Sequence, residues 1–422
     1  MKVQRCKGMR DLYPQEMTVF RLVEGVFRDC CSQWGYQEVR TPTIEYLHLF
    51  TSARTLTPSM LGKVYSFLDW DGWSGERVVL RPDGTIPVAR LYTERLEDDG
   101  LARLFYATNI FIFEETGGKT REKWQCGAEL IGVGSPLADA ELISLSLEVL
   151  KKLGLKGVEL RLSHAGLVKA LLVKLGLSPE EQSRMFDQIL DGDVAALARI
   201  SRGNPEMKKA LLPLLSLKGQ SPGFLKNLRS ILAQNMPELN HYLDDFLQTV
   251  AFLEALGCRY QIDIASGAGF EYYTGMIFQL FIGGEKVGGG GRYDGLITAM
   301  GGRNIPASGY ALYLDRLMNL VKPELIAGPA PQRIMVRVTP ADVSALKEAF
   351  HIARCLREAG YIAELDLEGK EPEGLRWTIR VQSKNPSFVL SDLVNKKKVE
   401  ASTTDEVLKL LEGEGGDKNS PA

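Results

Sequence analysis

The chain has 422 residues, of which 45% are hydrophobic and 25% are charged, proportions typical of a globular protein with two or three domains. Lys and Arg number 51 and Asp and Glu number 53, so the formal charge of -2 excludes a strongly basic coat for nucleic acids. No run approaches the roughly 18 apolar residues of a membrane span, and residues 1–5 lead into polar sequence without the apolar stretch of a secretory signal. Six scattered cysteines form no Cys-x-x-Cys pair, so we expect a cytoplasmic protein without a membrane association or a zinc ribbon.

Up to about residue 175, helical and strand patterns are mixed. Pro14 opens a helix that runs to about Trp34, with apolar side chains along one side. A second helix is predicted at residues 139–153, and strands are predicted at residues 37–40, 63–68, 78–81, 107–113, 129–133 and 158–162. Short strands with few parallel crossovers predict an α+β fold, in which an antiparallel sheet is flanked by helices.

The rest of the chain suggests an insertion and a second domain. Residues 178–257 are rich in Asp, Glu, Lys, Leu and Ala, and five prolines punctuate them, which predicts a helical insertion within a domain of residues 1–322. Strands at 260–264, 275–282 and 286–287 and a helix at 306–320 complete that domain. Residues 323–331 read as a linker, residues 332–412 as a small α/β domain with an uncertain piece at 372–384, and residues 413–422 as a flexible tail.

Two motifs have ambiguous meanings when each is taken alone. Four glycines followed by Arg292, Tyr293 and Asp294 let a backbone approach a ligand closely, although glycine alone favours a flexible hairpin. The pair Tyr272 and Tyr273 supplies rings and hydroxyls for a pocket, but one tyrosine of such a pair can simply face the core.

Two further motifs suggest a polar pocket. Asp83, Gly84 and Thr85 follow a strand, where they could hold an ammonium group, although an Asp-Gly turn is the commoner explanation. Gln125 and Glu129 lie on one face of a strand among apolar residues, where they would cost free energy unless they bind something. The four histidines have no metal-ligand spacing, so no metal site is expected.

The order of these motifs resembles the histidyl-tRNA synthetase family over essentially the whole chain. The matches are the family opening at residues 7–14, class II motif 1 at 35–42 with Glu45, the histidine-pocket strand at 81–85, motif 2 at 111–132, two histidine signatures at 270–275 and 291–296, and motif 3 at 309–317. The resemblance implies a class II antiparallel sheet, a helical insertion and an anticodon-binding-like C-terminal domain. It also implies that residues 372–384 are helical and that the chain forms a homodimer through its motif 1 helix and strand.

The nucleotide side of the family's site is altered in this chain. Ile112 follows Phe111 where the family has an arginine, and Ala268 stands where it has a second one. Tyr313 replaces a glycine beneath the adenine, and Lys119, Arg121 and Arg316 are the residual nucleotide-side positions. Loss of one charge stabiliser typically costs about 10²–10³ in rate, so little adenylation is expected and no catalytic residue is assigned.

The amino-acid side is retained, which is similar to the regulatory subunits of ATP phosphoribosyltransferase, a branch of this family. By resemblance, Asp83, Gly84, Thr85, Gln125, Glu129, Tyr272 and Tyr273 bind histidine. Asp83, Thr85 and Gln125 would take the α-amino end, Glu129 and Tyr272 the imidazole, and Tyr273 the wall.

The resemblance implies that L-histidine is an effector, that no cofactor is required, and that the partner is a short-form ATP phosphoribosyltransferase catalytic subunit. Residues 331–412 carry 13 Lys or Arg and 13 Asp or Glu, so tRNA binding is not expected. The alternatives are an unusual histidine–tRNA ligase and a stand-alone binding module.

Overall fold

The computed structural model describes residues 4–52, 61–70, 75–113, 120–190, 218–233, 236–265, 272–322, 332–338, 343–367, 375–385 and 387–413. By its contacts the chain divides into two units, Met1–Ile326 and Ala327–Ala422. The predicted linker at 323–331 and nearly all of the predicted tail lie outside the described residues. Among the helices of the described ranges, none combines the length and the hydropathy of a membrane span.

Ten helices of the first unit, numbered here in chain order, are α1 (Pro14–Gln33), α2 (Leu47–Ser52), α3 (Thr85–Arg95), α4 (Pro136–Lys152), α5 (Ala165–Lys174), α6 (Pro179–Leu190), α7 (Pro222–Ala233), α8 (Asn240–Ala255), α9 (Leu296–Ala299) and α10 (Leu314–Leu320). Its strands are β1 (Gln37–Glu38), β2 (Ile44–Tyr46), β3 (Ser66–Trp70), β4 (Gly75–Leu80), β5 (Ala102–Phe111), β6 (Glu122–Ile131), β7 (Val158–His164), β8 (Lys218–Gly219), β9 (Gln261–Asp263), β10 (Met276–Ile282), β11 (Glu285–Arg292) and β12 (Ala307–Tyr313). The predicted insertion therefore contains α6, α7 and α8.

A nine-stranded sheet forms the centre of the first unit, in the order β1-β5-β6-β12-β11-β10-β7-β9-β8. The pairs β1–β5 and β7–β9 are parallel, and the other neighbours are antiparallel. The predicted α+β class is confirmed. Helix α1 begins at Pro14, as predicted, and buries Phe20, Val23 and Phe27 in the core beside the sheet.

The glycine run is a strand in the middle of this sheet. Gly288 to Gly291 pair with β10 on one side and with β12 on the other. A Cβ added at Gly288 would lie 2.7 Å from the carbonyl oxygen of Ala311, and one added at Gly290 would overlap the neighbouring strand. The expectation of a flexible hairpin from glycine alone was therefore wrong, because these glycines let strands approach closely.

The helix predicted at 306–320 is in fact a strand followed by a helix. Residues Ala307–Tyr313 form β12, and only Leu314–Leu320 are helical. The segment Ala-Ser-Gly-Tyr-Ala-Leu-Tyr pairs with β6 and β11, and most of its residues on both faces are buried. Such a strand lacks the polar alternation that would have distinguished it from a helix.

The second unit contains α11 (Val343–Glu358), α12 (Thr404–Gly413) and the strands β13 (Arg333–Val338), β14 (Ile362–Leu365), β15 (Trp377–Val381), β16 (Phe388–Asp392) and β17 (Lys397–Ala401). Its sheet has the order β14-β13-β15-β16-β17, and α11 packs on it. The expectation that residues 372–384 are helical is wrong for β15, where Trp377, Ile379 and Val381 alternate into the core.

Candidate functional site

A small cavity lies over the central strands of the large sheet. Its volume is about 30 Å³, and its lining includes Asp83, Thr85, Gln125, Tyr272, Tyr273 and Tyr293. Gly84 and Glu129 lie directly behind this lining, where they contact Gln125 and Thr85 respectively. The structure thus brings together all seven residues predicted for the amino-acid pocket.

The turn from β4 into α3 presents Asp83, Gly84 and Thr85 to the cavity. The Asp83 Oδ1 atom accepts the Ile86 N–H at 3.0 Å, which places the carboxyl group at the start of α3. The Gly84 N–H donates to Gln125 Oε1 at 3.2 Å, which ties the turn to β6. A Cβ added at Gly84 would overlap the ring of Tyr106, so glycine is required there.

Three hydroxyl groups, those of Thr85, Tyr293 and Tyr106, favour the charged form of Glu129. Thr85 Oγ1 donates to Glu129 Oε1 at 2.8 Å, and the hydroxyl of Tyr293 donates to Glu129 Oε2. Glu129 is 0% exposed, and this burial raises its pKa to about 8 despite these hydroxyls. A Cβ added at Gly309 on β12 would overlap Glu129 Oε2, so that glycine makes room for the carboxyl group.

Three tyrosine rings form one side of the cavity. The ring centroids of Tyr272 and Tyr273 are 5.0 Å apart, and the Tyr272 ring meets the Tyr293 ring edge-on at 5.5 Å. Tyr293 was not predicted as a site residue. It could have been found from its position two residues after Gly291, because alternate residues of a strand face the same side.

Two buried carboxyl groups give the cavity its electrostatic character. Burial raises the pKa of Asp83 to about 6, although backbone N–H groups near the turn lower it. Asp83 also raises the pKa of Glu129 by charge repulsion, after the larger effect of burial. A ligand with an ammonium group and a nitrogen heterocycle would offset this repulsion and supply donors to both carboxyl groups.

Two of the residual nucleotide-side positions, Arg121 and Arg316, make contacts within the chain. The guanidinium of Arg121 lies 4.1 Å from the centroid of the Phe113 ring and donates to the Tyr65 hydroxyl at 3.3 Å. Arg316 donates to the carbonyl oxygen of Lys286 and lies 5.2 Å from the centroid of the Tyr313 ring. Ile112 donates its backbone N–H to the Arg121 carbonyl at 2.9 Å. Lys119 and Ala268 lie outside the described residues.

Tyr313 also lines the cavity. Within the described ranges, no three His, Cys, Asp or Glu side chains are grouped so that they could hold a metal ion.

The chain is similar to known proteins over nearly its whole length. A family model described as histidyl-tRNA synthetase matches residues 8–317. A protein of Dehalococcoides mccartyi named ATP phosphoribosyltransferase regulatory subunit is 51% identical over 412 residues, covering 98% of this chain and 99% of the relative. A histidine–tRNA ligase of Methanocaldococcus jannaschii is 33% identical over 375 residues, covering 87% of each chain.

A solved structure from Bacillus halodurans, titled as an ATP phosphoribosyltransferase regulatory subunit/histidyl-tRNA synthetase, matches with a TM-score of 0.75 and 26% identity. The match covers 88% of this chain and 95% of that one. The apo histidyl-tRNA synthetase of S. aureus matches 98% of this chain with a TM-score of 0.68 and 21% identity, which shows the shared fold.

Proposed function

Because the chain belongs to the histidyl-tRNA synthetase family, we propose that it is a regulatory subunit of ATP phosphoribosyltransferase, which binds histidine and carries out no aminoacylation. The 51% identity over 412 residues to a protein with that name supports this proposal. By this function it controls the first step of histidine biosynthesis in the cytoplasm. The effector is L-histidine, and no cofactor is required.

One observation carries the proposal: an amino-acid pocket is retained beside altered nucleotide positions. Asp83, Thr85 and Gln125 take the α-amino group, since a buried carboxyl, a hydroxyl and an amide oxygen can all accept from an ammonium. Glu129 and Tyr272 take the imidazole, and Tyr293 holds Glu129 in place through its hydroxyl. Tyr273 forms the wall.

On the other side, Ile112 offers no charge to a phosphate. Adenylation needs cations to stabilise the charge that develops on the pentacoordinate α-phosphorus. With Ile112 and Ala268 in place of the family's two arginines, the histidine carboxylate also lacks a charged partner. A hydrogen bond to such a partner is worth about 1.5–3 kcal/mol. We therefore expect histidine to bind here more weakly than it binds in a ligase.

Regulation by histidine requires two conformations of the subunit that bind histidine differently. A ligand that binds two conformations of a subunit differently shifts the equilibrium between them. A regulatory subunit needs such a shift to change the activity of its catalytic partner when histidine binds.

The partner of this subunit is the short-form catalytic subunit, and its own minimal unit is a homodimer. The small sheet β2-β4-β3 carries apolar side chains that are exposed in the single chain, including Tyr46, Phe67 and Trp70. Exposed apolar surface of this kind marks an interface. It adjoins the motif 1 segment that the resemblance assigns to the dimer.

The test is co-purification of the chain with a short-form catalytic subunit, combined with an assay of histidine-dependent pyrophosphate exchange on the chain alone. We expect a stable complex and no exchange above background. Exchange at ordinary synthetase rates would contradict the proposal and would favour a ligase instead.

A further inference from the structure

A buried ion-pair cluster lies outside the histidine pocket but next to it in sequence. Arg292, at the end of β11, donates to Asp245 on α8 through Nη1 at 3.0 and 3.2 Å and pairs with Asp139 on α4 through Nη2. Ser308 Oγ on β12 also donates to Asp139 Oδ1, at 3.3 Å. Arg292 and Asp139 are both buried.

Asp245 connects this cluster to the helical insertion. It lies on α8, and its Oδ2 atom is 3.3 Å from Nε2 of His164, the residue at the end of β7 that caps α5. Burial lowers the pKa of His164, while Asp245 opposes that effect. One carboxyl group of the insertion therefore contacts two elements of the central sheet.

Backbone atoms connect Arg292 of this cluster to the histidine pocket. The Arg292 carbonyl accepts the Thr274 N–H at 2.8 Å, directly after the pair Tyr272 and Tyr273. Tyr293, the next residue after Arg292, donates to Glu129. Lys169 Nζ on α5 adds a hydrogen bond to the Tyr273 carbonyl at 2.7 Å.

From these contacts we propose that Arg292 and Asp245 are positioning residues that couple the histidine pocket to helix α8 of the insertion. The coupling rests on the proposed function, since histidine is the proposed ligand of the pocket. Tyr293 follows Arg292 in the chain, and Thr274, which follows Tyr272 and Tyr273, donates its N–H to the Arg292 carbonyl. A shift of these tyrosines on histidine binding would therefore displace Arg292, and with it the side-chain contact to Asp245 on α8.

Hydrogen exchange of α8, measured with and without histidine, tests the coupling. In the wild-type chain we expect histidine to change exchange within residues 240–255. Asp245→Asn should remove most of that change and weaken histidine binding about tenfold. The matched control is Asp244→Asn, one residue earlier on the same helix, whose carboxylate pairs with Arg229 on α7 and does not contact Arg292. This control should behave as the wild type does.

Calorimetry on the wild-type chain separates the two claims. If histidine releases or absorbs no heat and shows no binding by dialysis, the histidine-sensing function itself is overturned. If histidine binds but exchange in residues 240–255 does not change, only the coupling is overturned. The wild-type measurement needs no variant, so it decides the matter even if Asp245→Asn does not fold. Equal loss of the exchange response in Asp244→Asn and Asp245→Asn would also overturn the role of Asp245.

Discussion

Two buried carboxyl groups at the pocket hold protons more tightly than usual. Burial raises the pKa of Asp83 to about 6 and of Glu129 to about 8. Each folded-state pKa lies above the unfolded value, so each group contributes stability that is full below the unfolded pKa and is lost as the pH rises through the folded pKa. The free energy of unfolding should therefore fall as the pH rises from about 4 to about 8.

Glu129→Gln should reduce this loss of stability at high pH. A glutamine resembles the protonated acid, because it offers one acceptor oxygen and one donor in place of two charged oxygens. We expect a melting temperature about 2–4 °C above that of the wild type near pH 8, and a smaller difference near pH 5. Thermal unfolding across this pH range measures the effect. A difference that does not grow with pH would mean that the carboxyl group is already charged in the folded chain.

If histidine binds in this pocket, as we propose, loss of the Glu129 carboxyl group should weaken its binding. Glu129→Ala should weaken binding by about 10- to 150-fold, because it leaves an imidazole nitrogen unpaired in a buried site. Glu129→Gln should weaken binding less, since its carbonyl oxygen still accepts. Calorimetry measures both, with Glu159→Gln as the control for loss of an exposed carboxylate. Equal affinities in all four proteins would place the binding site elsewhere.

At this scale the sequence predicted most of the pocket. Gln125 and Glu129 were identified because a strand's alternation puts them on one face, and two polar groups there need partners. The carboxyl group of Glu129 finds those partners in Thr85 and Tyr293. Tyr293 could not be assigned in the same way, since its role depends on the pairing of β11 with β12, which is a contact between distant segments.

At the scale of elements, the glycines of β11 and β12 determine how closely the pocket strands pack. Gly309 stands opposite Glu129 in the pairing of β12 with β6, and it leaves the space that the carboxyl group fills. At these glycines, β11 and β12 therefore contribute backbone atoms rather than side chains to the site.

Gly309→Ala should destabilise the chain by about 1–3 kcal/mol, because the added methyl group overlaps the Glu129 carboxyl group. The same substitution should also reduce histidine binding. Gly295→Ala is the matched control, since nothing lies within 4 Å of its added Cβ and its φ of -82° suits alanine. Urea unfolding of the two variants gives the comparison. Similar midpoints for both would show that the sheet adjusts to the methyl group.

Two elements were mispredicted because contacts between strands override the local sequence signal. Residues 306–320 read as one helix because a strand buried on both faces shows no polar alternation. The glycine run read as a hairpin because glycine has low intrinsic strand propensity, which neighbouring strands override here. Helix α1 was predicted well, since Pro14 and a one-sided apolar pattern are local signals.

At the scale of the molecule, the exposed face of β2-β4-β3 supports the homodimer. Tyr46 and Phe67 are paired with the same residue of β4, Val78, so they lie on one face of this sheet. Phe67 is 43% exposed in the single chain. A partner chain that covered this face would bury apolar area, which stabilises association by about 25 cal/mol per Å² before its costs.

Phe67→Asp should therefore shift the chain from dimer to monomer at micromolar concentration, because a carboxylate in an apolar interface must be desolvated. Light scattering measures the molar mass. The control is Leu367→Asp in the second unit, an equally apolar-to-acidic change at a position that is 89% exposed. A dimer that persists in Phe67→Asp would move the interface away from this face.

The sequence indicated where the chain divides into two units, but it did not predict every element of the second unit. The motif order predicted the fold, and the structure divides at Ile326, within the Pro- and Gly-rich stretch. The expected helix in residues 372–384 came from the resemblance alone, and it failed at β15, where apolar residues alternate with Thr378 and Arg380.

The central claim is that histidine in this pocket controls a catalytic partner. The direct measurement is the rate of phosphoribosyl transfer by the complex of this chain with a short-form catalytic subunit, as the histidine concentration is raised. With the wild-type chain we expect transfer to be inhibited by histidine, and with Glu129→Ala we expect inhibition to require at least about tenfold more histidine. Identical inhibition curves for the two chains, or a transfer rate that does not depend on this chain, would contradict the account.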